Sequence, residues 1–252
     1  MKFDRYILIL VLLVLWQVLC SIHVIPIHLL PSPIKIILGL KDLVVIGMPP
    51  GHLLPNHILY SLYRVSLGFL GAALLGIPLG LLMGWSPRLR RITNPLVELV
   101  RPIPPLAWIP IAILWFGIGM KSAAFIIFLG AFFPIVLNTV SGVLTINPIY
   151  FEVAQTLNAK RKDIFFKVLL PGAIPSIFVG LRIGVGIGWM TLVAAEFTGV
   201  RTGYGLGYMI MTARDIQRPD EILAGMLVIG LIGYLINGGL RACERKFVKW
   251  RN

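Results

Sequence analysis

Apolar residues dominate six stretches of the chain, roughly 6–25, 59–85, 99–118, 122–145, 174–198 and 222–240, with polar residues gathered between them. Each is close to 20 residues or longer, the length a helix needs to cross the hydrocarbon core of a bilayer. The pattern predicts an all-α polytopic membrane protein with about six transmembrane helices. The first stretch lacks the short apolar core and small-residue cleavage site of a signal peptide, and Cys20 follows Leu19, so it is expected to remain as a membrane anchor. Residues 26–57, rich in proline and glycine, read as an outer loop. The second stretch ends at Trp85-Ser86-Pro87, and the basic run Arg88, Arg90, Arg91 follows it. The third stretch holds Pro102, Pro104, Pro105 and Pro110. Such a helix is kinked or broken, and broken backbone survives at membrane depth only where protein or a water-filled cavity satisfies it. The fifth and sixth stretches are separated by a Gly-rich segment.

Composition strengthens this reading. Of 252 residues 58% are hydrophobic and 13% charged, against about a quarter charged in a soluble domain, which excludes a soluble enzyme. The net charge of +13 would suggest nucleic acid in a soluble protein. Here it sorts by membrane side. The 2–5 start, the 88–91 run, the 160–167 segment and the 241–251 tail hold about fourteen Lys and Arg, and the opposite segments about six (Lys35, Lys41, Lys121, Arg201, Arg214, Arg218). That bias predicts cytoplasmic N- and C-termini and removes the need for a nucleic-acid partner. Cys20 and Cys243 define neither a disulfide framework nor a metal spacing. His23, His28, His52 and His57 match no structural zinc pattern, so no metal is expected.

Within the apolar stretches, small residues recur every fourth position: Gly68, Ala72, Gly76, Gly80 and Gly84 in the second, Gly180, Gly184 and Gly188 in the fifth. Residues four apart share a helix face and let backbones approach, so both stretches are expected to be tightly packed core helices. On the opposite face of the fifth, Arg182, Trp189 and Glu196 are seven apart and form a stripe. Arg182 and Glu196 lie about 21 Å apart along the axis, too far to pair. Each must meet another helix, a subunit interface, water or the membrane edge, and a charge in a span marks a pathway or a partner. Arg64 is in the same position.

The polar segment 147–171 carries the most information. Asn147 is a capping residue and Pro148 suits the first helical position. Asn158 tolerates the left-handed conformation that ends a helix. A second, basic helix starts near Lys160, and Pro171 is expected to stop it. The result is a helix–turn–helix hairpin too polar for lipid. Tyr150, Phe151, Phe165 and Phe166 make it a surface for a partner, or an amphipathic helix lying on the membrane.

This segment resembles the EAA loop of ABC importer membrane subunits. Glu152-Val153-Ala154, Asn158 and Val168-Leu169-Leu170-Pro171 stand where that loop has Glu-Ala-Ala, a glycine six residues after the Glu, and Ile-x-Leu-Pro. Val153 and Asn158 depart from it. The likeness runs from about Ser61 to Trp250. Arg101-Pro-Ile-Pro-Pro105-Leu-Ala-Trp108-Ile-Pro110, Phe116-Gly-Ile-Gly119, Gly180-Leu-Arg182 and Gly203-Tyr-Gly-Leu-Gly207 are similar to the nitrate/sulfonate/taurine branch, which also takes in pyrimidine-precursor permeases. The resemblance implies a type I ABC importer permease fold, with an N-terminal helix and outer loop over 1–57 and a permease core over 58–252. It implies two permease copies, most simply a homodimer, a cytoplasmic ABC ATPase dimer that receives the hairpin through Glu152, Val153, Ala154, Asn158, Leu170 and Pro171, and an extracytoplasmic solute-binding protein. It implies no catalytic residue and no cofactor in this chain, with ATP and Mg on the partner ATPase. The sequence has no Gly-x-x-x-x-Gly-Lys-Ser/Thr run; Gly119-Met-Lys-Ser122 lacks the glycine before the lysine. Arg101, Trp108, Arg182, Trp189 and Glu196 become candidates for the translocation path, and an anionic solute would suit Arg64, Arg101 or Arg182.

Two rival classes differ in specific features. A channel reading rests on Thr202-Gly-Tyr-Gly205, which lacks the valine of a potassium filter and a preceding pore helix. A secondary transporter also has broken helices, but gives the hairpin nothing to do.

Overall fold

The computed structural model describes residues 2–26, 28–197 and 203–248, with side chains from Ile7 onward. Helices α1 to α11 make up this structure, with no strand among the described residues: α1 Lys2–Ser21, α2 Pro33–Val45, α3 Leu54–Trp85, α4 Pro87–Val100, α5 Ile109–Phe116, α6 Met120–Leu144, α7 Pro148–Thr156, α8 Arg161–Ile164, α9 Leu170–Phe197, α10 Leu206–Asp215 and α11 Pro219–Phe247. A 3-10 turn, Pro105–Trp108, precedes α5, and a π turn, Phe165–Leu169, joins α8 to α9. Among the described residues four helices are long and apolar enough to cross a membrane: α3, α6, the Arg161–Phe197 rod and α11. The described apolar part of α1, Ile7–Ser21, is shorter.

Four expectations need correction. The 99–118 stretch is no span of its own. Ser86 caps α4 and Pro87 opens it, so the basic run 88–91 belongs to a helix, and the pair Pro87–Val100 and Pro105–Phe116 bends by 82°. The prolines between 102 and 110 withhold the donors a straight helix requires. The 26–57 segment contains α2, begun by Ser32, whose side chain accepts from Lys35 N, with Pro33 at the first turn. The Gly-rich segment contains α10. Pro171 does not stop the hairpin's second helix. Just before it Leu170 N bonds back to Phe165 O in the π turn. The widened turn accommodates the ring that an α turn would press against the carbonyl of Lys167.

The chain divides into two compact units, Met1–Leu62 with Glu196–Ile232, and Tyr63–Ala195 with Gly233–Asn252. In the first, Arg218 binds Asp42 of α2 at 3.0 Å and Asp220 and Glu221 of α11 at 2.9 Å each, and hydrogen bonding to Asp220 pushes its pKa up. In the second, α6 is the spine. A methyl on Gly68 would lie 2.6 Å from Ala124 O, on Gly80 2.6 Å from Thr139 Cβ, and on Gly84 2.5 Å from Val143 Cβ. Ala72 packs, fully buried, with Ala131 and Ile135, and Gly76 faces Ile135. From α9, Gly180 meets Asn138, Gly184 meets Ala131 and Gly188 meets Ile127. The two small-residue stripes thus both pack on α6, sharing Ile127, Ala131 and Ile135 as partners.

Candidate functional site

The hairpin is built by short-range signals. Asn147 Oδ1 accepts from Ile149 N at 3.0 Å, starting α7. At its far end Thr156 Oγ1 donates to Glu152 O at 2.9 Å. Asn158 takes φ 53°, and Ala159 N reaches back to Ala154 O at 3.0 Å, a helix stop of the left-handed type. The foot is fixed by Trp85 at the end of α3. Its ring lies 6.2 Å from Phe151 and, edge-on, 6.0 Å from Phe165. Beneath it Leu169 and Ala173 are fully buried with Leu81, Val143 and Ile177. The tip is different. Glu152 is exposed, as are Tyr150, Val153, Leu157 and Phe166. Of the four aromatic residues noted in the sequence, two are the anchor and two are free surface. A groove of about 900 Å³ runs between α7 and the start of α9, with Tyr150, Ala154, Leu157 and Lys167 in its walls. Leu170 and Pro171 sit at the foot, where α9 begins.

The five candidate path residues separate into two groups. Arg101 and Trp108 line one cavity of about 350 Å³, together with Phe133, Asn138, Ile183 and Ile187. The residues of the α9 stripe each have partners of their own. Arg182 pairs with Glu244 of α11 at 3.3 Å. Trp189 is buried, and a methyl on Gly233 would lie 3.1 Å from its Nε1. Glu196 is fully buried and accepts from Ser61 Oγ at 2.8 Å and from Gly207 N at 2.8 Å. Arg64 is fully buried as well.

Several residues in these networks carried no signal that sequence reasoning used. Leu206 N donates to Ser61 Oγ at 2.9 Å, and Gly205 N donates to His57 Nδ1 at 3.0 Å, whose Nε2 lies 3.2 Å from His52 O. His57, Ser61 and Glu196 thus hold the Gly205–Gly207 backbone, the segment noted for its glycines. The ring of Tyr204 stacks on His52 at 4.4 Å and on Tyr60 at 5.0 Å. The spacing of His57 and Ser61, four apart on the first turns of α3, was the only hint available. Among the described residues no group of His, Cys, Asp and Glu is placed to hold a metal. Arg201 and Thr202, the latter opening the channel-like run, and the tail residues Lys249 and Arg251 lie outside the described residues.

Residues 76–242 match the family described as the binding-protein-dependent transport system inner membrane component. The taurine transport system permease protein TauC of Escherichia coli is 41% identical over 171 residues, 68% of this chain and 62% of that protein. This chain therefore spans less than two thirds of TauC's length. A candidate aliphatic sulfonates transport permease protein, SsuC of Bacillus subtilis, is 39% identical over 242 residues, 96% of this chain and 85% of the relative. Among solved structures, an inward-facing form of the MetNI methionine ABC transporter superposes with a TM-score of 0.67 over 77% of this chain and 96% of the matched chain, at 20% identity. At that identity the likeness defines the fold, that of a type I importer permease.

Proposed function

The chain belongs to the binding-protein-dependent transport system inner membrane components, and we propose that it is the membrane-spanning permease subunit of an ATP-driven importer. Its cargo is a small anion such as an aliphatic sulfonate, taurine or nitrate, delivered by an extracytoplasmic binding protein. In this reading residues 1–57 are an N-terminal anchor and outer loop, and residues 58–252 the permease core. Both termini face the cytoplasm, and two copies enclose the pathway. ATP and Mg are bound by a separate ATPase dimer, and the chain itself performs no chemistry.

One observation carries the reading. The 147–171 hairpin has a foot locked in the core through Trp85 and a tip of exposed apolar side chains around Glu152. Apolar surface on a polar, well-anchored projection marks an interaction site. A stiff connection from that site into α9 is what a nucleotide-driven partner needs to pull. Glu152, Val153, Ala154 and Asn158 form the docking tip, and Leu170 and Pro171 the root.

The candidate path is led by Arg101 and Trp108, which share a cavity. Arg182, Trp189 and Glu196 enter it only if their present partners are released during the cycle. The reading is tested by Glu152→Lys in cells. Uptake is expected to vanish while the protein still inserts in the membrane; normal uptake by the variant would remove the docking role.

A further inference from the structure

The cavity at Arg101 has a composition that selects among the anions named above. Its α6 wall runs from Leu129 to Asn138, about 14 Å at 1.5 Å per residue. This wall occupies the middle of the helix Met120–Leu144, and mid-span is where transporters hold their solutes. Arg101 has no acidic partner among the described residues, whereas Arg182 is neutralised by Glu244. Arg101 is exposed, and an unneutralised guanidinium lining a largely apolar cavity suits an anion. Its planar fork suits two oxygens of one acidic group. Asn138 lies on the same wall. Its amide donates one N–H to Pro134 O at 2.8 Å, which leaves the second for a ligand oxygen. The rest of the lining, with Trp108, Leu129, Phe133, Ile183 and Ile187, is apolar. A bare inorganic anion would leave that lining and most of the roughly 350 Å³ unused.

We propose that this cavity is a solute subsite for aliphatic monoanions of the sulfonate class, with Arg101 and Asn138 holding the head and Trp108, Ile183 and Ile187 the alkyl tail. The proposal rests on the permease reading for its place in transport, and adds to it a selectivity by chain length inside the membrane subunit itself. Each methylene transferred from water to such walls is expected to raise affinity about fourfold until the cavity is full.

The test is calorimetric titration of the full chain in phosphatidylcholine nanodiscs with ethane-, butane- and hexanesulfonate. Affinity is expected to rise along the series. Arg101→Gln is expected to lower butanesulfonate affinity at least tenfold, and Arg101→Lys to retain most of it, with thermal unfolding checking that both fold. Ile183→Phe is expected to weaken hexanesulfonate while sparing ethanesulfonate. No heat with the wild-type chain, equal affinity in Arg101→Gln, or indifference to chain length overturns the subsite. Displacement of butanesulfonate by added phosphatidylglycerol assigns Arg101 to a lipid headgroup and overturns it too. The titrations need neither ATPase nor binding protein. An ATPase that never co-purifies with the chain therefore sinks the importer reading and leaves a positive titration standing. An uptake-competent importer whose permease gives no heat sinks the subsite alone.

Discussion

Two carboxylates mark the contrast between the hairpin and the segment at the far end of α9. Glu152 projects from the tip of a hairpin, exposed and ringed by Tyr150, Val153 and Leu157, which are exposed too. Glu196 is fully buried and takes hydrogen bonds from Ser61 and from the Gly207 backbone. The first region is locally complete yet exposes apolar surface: its first helix is capped, its foot is packed, and Tyr150, Val153 and Leu157 are exposed. The second is finished within the chain. A carboxylate whose bonds are made by its own fold acts first on stability, and one without them acts first on association.

That contrast is open to direct attack, beginning with the largest effect. Glu152→Lys is expected to cut uptake at least a hundredfold, about 2.7 kcal/mol of lost coupling, with no change in the unfolding temperature of the purified chain. A drop in that temperature would erase the distinction. Glu196→Leu leaves the Ser61 hydroxyl and the Gly207 N–H buried without their acceptor, at about 1–3 kcal/mol for each. Thermal unfolding in detergent should show a loss of about 2–6 kcal/mol. Uptake that fails while stability is unchanged would instead move Glu196 into the path. Gly84→Val drives a branched side chain into Val143, and overpacking of this kind costs about 1–3 kcal/mol. The loss should appear in unfolding and leave ATPase co-purification intact. Arg182→Gln is expected to be the mildest, below about 1 kcal/mol, because the pair with Glu244 is partly open to solvent.

Much of this fold was legible in the chain because its strongest signals are local. Apolar length located α3, α6, α9 and α11, and the fourfold spacing of small residues located the faces that meet. The sequence did not say that both faces meet the same helix, since spacing identifies a surface and not its partner. The helix starts are instructive. Ser32-Pro33, Ser86-Pro87 and Asn147-Pro148 open helices in one way, a capping side chain followed by proline. Only the last was used as a start signal, because Ser32-Pro33 sat in a segment read as a loop for its prolines and glycines, and Ser86-Pro87 was read as the end of the preceding span. Pro171 misled in the opposite sense, since a π turn absorbs it. Of the candidate sites, the hairpin was readable for the same local reason. The partners of Arg182 and Glu196 were not, because Glu244 and Ser61 are 62 and 135 residues away along the chain and no periodicity connects them.

The unbroken Arg161–Phe197 rod carries one further mechanical consequence. Its 37 residues have a contour of about 55 Å at 1.5 Å per residue, nearly twice the thickness of a bilayer's oily interior. With Trp85 as fulcrum at one end, a swing of only a few degrees there becomes an arc of several ångströms at the other. A small displacement at the hairpin end is thereby geared up into one several times larger at the opposite end.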